Sequence, residues 1–422
     1  MLDGNVLLRQ KRDEVPKGPV SCPYRNMANS HRHCHNEGVR LLPPTCDCEL
    51  IQQTLIMKKL FVLLVIALSA IGASGQGVYK IAEGDQIKAG QEITSVPNIK
   101  MTFGNDTYNS GKKNNLFDYS AYVTGKNAPK NSDEAIPKNG DVPSTGTFYK
   151  FEPSIDGILE FTFIIDKKKI LTVSENGSFL QNLSLKDKGN NILDYTCGKP
   201  FSETDKKYGV GTINVKANNT YYVYGEGTKM GFYGFKFDKA ELNVTDAKYA
   251  TYCSLTTSKV PEGLTAYTAK YNEPTGKVVL TTVSDGILPA NIGVILCGKT
   301  NNYTMSASIT TLSTLTDNEL EGVTADYTLT DKDYILVNDG GVVKFGKATV
   351  GTTLAAGKVY LPIENPNAAK IISMDFDGTT GINAVETASD KDDAYYTLSG
   401  VKTLKPTKGM LYIHNGKKYI AK

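Results

Sequence analysis

Seven residues near the start of the chain are of the types that hold a metal ion. Cys22 is followed by SHRHCHNEGVRLLPPTCDCEL, residues 30–50, which carries His31, His33, Cys34, His35, Cys46 and Cys48. Thiolates and imidazoles are the ligands of tetrahedral zinc sites, which space their Cys pairs by about two to four residues. Cys46-Asp47-Cys48 leaves one residue between them. No metal site is expected here.

Composition gives a second reason. All five Arg lie before residue 41, as do three of the four His, and four of the seven Cys lie at or before Cys48. From Met57 onward every cationic side chain of the lysine or arginine type is Lys. The break coincides with MKKLFVLLVIALSAIGASGQG, residues 57–77. Two lysines, an apolar run from Leu60 to Ile71 and a small-residue close make the three regions of a secretory signal peptide. The run is shorter than the roughly 20 residues that span a bilayer, so no stable membrane span is expected. No Cys sits near the cleavage site to take a lipid. A signal peptide works at a true N-terminus. Residues 1–56 therefore read as a spurious upstream extension and residues 57–75 as the signal peptide, cleaved between Gly75 and Gln76. The expected location is extracellular or on the outer cell surface.

What remains is poor in catalytic groups. From Gln76 onward there are 38 Lys and 38 Asp plus Glu, a balance that gives no electrostatic case for nucleic acid. One His remains, His414, so no Ser-His-Asp or Cys-His arrangement is available to the body of the chain. Cys197, Cys253 and Cys297 remain; Cys253 and Cys297 read either as bridged neighbours or as small buried side chains. A glycosidase needs only two carboxylates, and nothing in the spacing singles out a pair. No enzyme activity and no cofactor are expected. The run DFDGTTG, residues 375–381, has the alternating carboxylates and glycine of a calcium turn, but reads as linker.

Recognition without catalysis leaves the aromatic strands. In TYYVYGEG, Tyr222 and Tyr224 fall on one face and Tyr221 and Val223 on the other. In GFYGFKF, Tyr233, Phe235 and Phe237 share a face opposite Phe232. One face of each strand must fill a core. An exposed face would make Tyr221, Tyr222 and Tyr233 the candidates for stacking under a pyranose ring.

The elements that would position them are strands. Apolar runs of strand length recur every 8–14 residues, broken by Gly, Asn and Pro turns, and no segment has a helical period. This predicts an all-β chain: a β-sandwich over 76–240, a second over 241–375, a linker over 376–393 and a small C-terminal β module over 394–422. Residues 104–146 form a long polar excursion with one short strand in LFDYSAYV. Asn415-Gly416, between MLYIH and KKYIAK, predicts a tight hairpin.

Three stretches carry resemblances. VPSTGTFYKFEPSIDGILEFTF with NNTYYVYGEGTKMGFYGFKF resembles the accessory, carbohydrate-binding-like β-sandwich of secreted pectate lyases and other polysaccharide-active proteins of Bacteroidota-type bacteria. Relatives often carry a Trp in the early loop, where FGNDTYNSGKK has none. YATYCSLTTSKVPEGLTAYTAKY with DGILPANIGVILCG resembles a repeated β-domain of secreted and surface proteins in the same bacteria. The tail YYTLSGVKTLKPTKGMLYIHNGKKYIAK is similar to the C-terminal sorting domain read by type IX secretion machinery, which implies that machinery as a partner of residues 394–422. Together these imply a secreted, non-catalytic binding protein for polysaccharide or cell-surface glycan. The alternative is an adhesin-like surface protein whose sandwiches act as spacers.

Overall fold

The computed structural model describes residues 75–200, 207–226, 230–310, 314–365, 368–376, 395–397, 402–403, 405–414 and 417–421. The chain separates into two units, Met1–Ile56 and Met57–Lys422, and every described residue belongs to the second. The Cys/His stretch, the expected signal peptide up to Ser74 and most of the expected linker lie outside the described residues. Among those described, the architecture is all-β, without a helix.

The first sandwich packs an eight-stranded sheet on a six-stranded one. The larger sheet centres on the long antiparallel strands Lys207–Val215, Gly157–Ile165 and Met230–Lys239. The smaller runs through Ile99–Phe103, Tyr149–Pro153, Tyr221–Gly225 and Leu171–Glu175. Alternate residues of each strand point inward, so Leu159, Phe161, Phe163 and Ile165 meet Met101, Phe103, Tyr149, Phe151 and Val223 in one core. Phe232 lies at its centre, stacked on Tyr149 with ring centroids 4.2 Å apart. Asn176-Gly177 closes a two-residue hairpin between Glu175 and Ser178, with φ of 50° and 90°. Those are the positive values that an Asn-Gly pair tolerates best.

The second sandwich packs two five-stranded sheets. Ala269, Val278, Leu280 and Ile295 come from one sheet, and Tyr334, Leu336, Phe345 and Leu361 from the other. Its last strand, Met374–Phe376, pairs in parallel with Lys277–Thr282, and Asp375 makes an ion pair with Lys277 at 2.8 Å. The C-terminal module is a four-stranded sheet. Its hairpin pairs His414 with Lys417, the register of a two-residue turn; Asn415-Gly416 itself lies outside the described residues.

The sandwiches meet at a buried polar junction. The Asp238 carboxylate accepts the Leu255 N–H at 2.9 Å and the Thr256 hydroxyl at 2.7 Å. The Gln76 amide reaches the Cys253 carbonyl, Asp238 and the Gly357 N–H at 3.1, 3.2 and 3.1 Å in the orientation that satisfies all three. Burial pushes the Asp238 carboxyl up to about 6, although hydrogen bonds from Thr256, Leu255 and Ser254 pull the other way. Between the unfolded value of about 3.9 and about 6, the folded chain holds a proton that the unfolded chain has released. That contribution is full below the unfolded value and is lost as the pH rises through the folded one. Thermal melts followed from neutral pH down to about pH 5 are expected to move upward. Asp238→Asn should flatten this dependence; an unchanged slope would remove Asp238 as its source.

Candidate functional site

The long polar excursion builds the site. Its expected single strand is a hairpin, Lys112–Leu116 paired with Tyr119–Thr124, and LFDYSAYV spans the turn as well as the second strand. Phe117 turns the chain with φ of 49°. Lys112–Leu116 has little strand propensity of its own; it is held by its partner, whose Ala121 and Val123 enter the sandwich core.

The two ends of the rest of the excursion converge on one carboxylate. Buried Asp106 accepts the backbone N–H groups of Thr107, Lys126 and Asn127 at 2.7, 2.8 and 3.0 Å. It also takes the Asn127 side-chain amide at 2.6 Å and the Thr147 hydroxyl. Burial pushes this carboxyl up, but the donors from Asn127, Thr147 and Thr107 outweigh it and hold it below the usual range. The two ends of the 106–147 segment are thereby closed on each other.

Between this segment and the outer face of the eight-stranded sheet lies an open groove of about 910 Å3. Tyr122 and Ile164 form its floor, and Asn109, Lys112, Lys126 and Asp166 are among the polar residues around it. Tyr122 rests on Tyr233 at 5.1 Å, within a small cluster with Leu116, Tyr119 and Ile164. Gly231 makes that possible, because a Cβ there would lie 2.5 Å from the Tyr122 ring and 2.6 Å from Ile164. Asn109 is oriented by a side-chain bond to Thr124 at 2.9 Å. Lys113 pairs loosely with Glu83 at 3.7 Å, both well exposed. The arrangement offers ammonium and amide donors and carboxylate acceptors around a narrow aromatic base. That suits hydrogen bonding to a polyhydroxylated ligand.

The three tyrosines proposed from the sequence are not brought together. Tyr221 is in the sandwich core, its hydroxyl donating to Glu175 at 2.6 Å and accepting the Lys216 N–H at 2.8 Å. Tyr222 is half-buried on the outer face of the six-stranded sheet, 6.1 Å from the Phe148 ring. Tyr233 is fully buried under the Lys112–Thr124 hairpin. Its expected partnership with Phe235 and Phe237 is corrected by a β-bulge between Phe232 and Gly234. The extra residue resets the alternation, so Phe232, Phe235 and Phe237 enter the core and Tyr233 faces out. Gly234 takes φ of 143° there, with space for a Cβ blocked by the Tyr79 carbonyl at 2.1 Å.

Among the described residues, no disulfide joins Cys197, Cys253 and Cys297 to one another. Burial pushes the Cys253 thiol up to about 12, so it remains an unreactive small side chain. His414 stacks on Tyr395 at 4.3 Å in the C-terminal sheet. Among the described residues no group of three or more His, Cys, Asp or Glu is placed to hold a metal ion, and no helix is long and apolar enough to cross a membrane. Residues 377–381 of the calcium-like run lie outside the described residues.

Comparison with known protein families finds no match, and comparison with curated proteins finds none either.

Proposed function

We propose that this is a secreted, non-catalytic extracellular protein that binds polysaccharide or cell-surface glycan in the groove over Tyr122. The observation that carries the reading is the groove itself, an open cleft with polar side chains of both hydrogen-bonding senses above one aromatic ring. Sugars present hydroxyls in every direction, and the polar rim answers them, while Tyr122 beneath is itself buried at 8 % exposure. Export by the leader at 57–75 belongs to the same reading and rests on its three-region pattern; handling of residues 394–422 by secretion machinery rests on sequence resemblance.

Affinity electrophoresis in gels containing pectins, xylans, glucans or mucin glycans tests it. Selective retardation in one polysaccharide is expected. Lys112→Ala with Lys126→Ala should weaken it about tenfold, the equivalent of roughly 1.4 kcal/mol. Tyr222→Ala, on the other sheet, should leave it unchanged. Loss on Tyr222→Ala alone would move the site to the six-stranded sheet. No retardation in any gel would favour the adhesin-like spacer reading.

A further inference from the structure

Among the described residues, the C-terminal sheet has one face filled and one face bare. Tyr395, His414 and Tyr419 pack together on the filled face, with Tyr395 4.3 Å from His414 and 5.0 Å from Tyr419. Tyr412 is buried beside them, accepting the Thr407 N–H at 2.9 Å. The register sets the other face. Tyr396 lies opposite Ile413, Ile413 opposite Lys418, and Leu411 opposite Ile420. Side chains two apart on a strand share a face, so these residues form one patch. Tyr396, Ile413 and Ile420 are 37, 38 and 61 % exposed, and Met410 next to them 55 %. Exposed apolar side chains are common singly; gathered on one face of a small sheet they mark a contact surface.

Charge says what covers it. Residues 395–422 hold six Lys and no Asp or Glu. The balanced total from Gln76 onward therefore hides a segregation, with an acidic excess before Tyr395 and a wholly cationic module after it. Lys405, Lys408 and Lys418 are all exposed. A second copy of the module would set like charges against each other. Apolar side chains with a tyrosine, mixed with lysines and free of acids, match the boundary between anionic headgroups and acyl chains.

We propose that this face docks the protein on an anionic lipid surface, with Tyr396, Ile413 and Ile420 at the headgroup boundary and Lys405, Lys408 and Lys418 against the lipid phosphates. The reading is independent of the glycan groove.

Vesicle co-sedimentation tests it, using the protein with residues 395–422 in place. Binding is expected to phosphatidylcholine vesicles containing about a third phosphatidylglycerol and not to phosphatidylcholine alone. It should fall as salt is raised to about 0.5 M, where charges are screened within a few ångströms. Ile413→Ser with Ile420→Ser should cut the partition coefficient about tenfold, through lost apolar contact. Lys405→Glu with Lys408→Glu should act in the same direction, and all four side chains are exposed, so the fold is spared. No binding by the unaltered protein would overturn the proposal and direct attention to an acidic protein partner. Binding unaffected by the isoleucine pair would also overturn it, leaving simple adsorption of lysines.

Discussion

Replacing Asp106 with alanine is expected to destabilise the protein by about 3 kcal/mol and to open the groove. The carboxylate is the shared acceptor of three backbone N–H groups, one amide and one hydroxyl. Each donor left buried without a partner costs roughly 1–3 kcal/mol. Water entering the loosened segment recovers part of that, which sets the net figure. The donors hold the folded carboxyl below its ordinary value despite burial. Its stabilisation is therefore complete above the unfolded value of about 3.9 and is lost as the pH falls through the lower folded one. Urea midpoints for the wild type and Asp106→Ala should differ fully at neutral pH and converge only in strong acid. A constant difference down to low pH would show that the carboxylate's charge is not what matters. Because Lys126 sits next to the pinned amides, glycan retardation should weaken in the same variant even where it remains folded.

Phe232→Ala is expected to cost about 3–5 kcal/mol, the range for truncating a fully buried phenylalanine. The ring is stacked on Tyr149 and meets Phe103 edge-on at 6.3 Å. On the neighbouring strands it pairs with Val123 and Phe163. Removing it leaves a void between two sheets that cannot close without moving the bulge beside it. Phe117→Ala is the comparison, since that side chain is 41 % exposed at a turn and should change stability by about 0.5 kcal/mol or less. Equal midpoints for the two variants in urea denaturation would falsify the central place given to Phe232.

The strands and turns were legible because their signals are local. Alternation over ILEFTFII and YYVYG, and glycine beside asparagine at 176–177, act through neighbours in sequence and survive into the fold. The division of Tyr221 and Val223 from Tyr222 and Tyr224 between two faces is of this kind. Tyr233 is not. Parity counting assumes an unbroken strand, and nothing in GFYGFKF announces that the chain bulges where Gly234 passes the Tyr79 carbonyl. The groove was hidden for a different reason. Lys112, Asn109 and Lys126 lie in a run whose polarity says surface, and its length says function or mobility. What gathers them is a carboxylate at residue 106 bonding to groups up to 41 residues away. One clue was present: an Asp at the head of a long Asn/Gly-rich excursion, with Asn127 and Thr147 able to donate to it.

The distribution of rings has an optical consequence. The chain has 24 Tyr and no Trp, so its near-ultraviolet spectrum belongs to tyrosine, with phenylalanine a minor contributor. The tyrosines among the largest fully buried side chains are Tyr149, Tyr221, Tyr224, Tyr233 and Tyr334. The first four belong to the first sandwich and only Tyr334 to the second. Rigidly held rings give the strong circular-dichroism bands, and rings free to turn give little. A near-ultraviolet spectrum of this protein is therefore weighted toward the first sandwich, with Tyr334 and the stacked pair Tyr327 and Tyr360 reporting on the second.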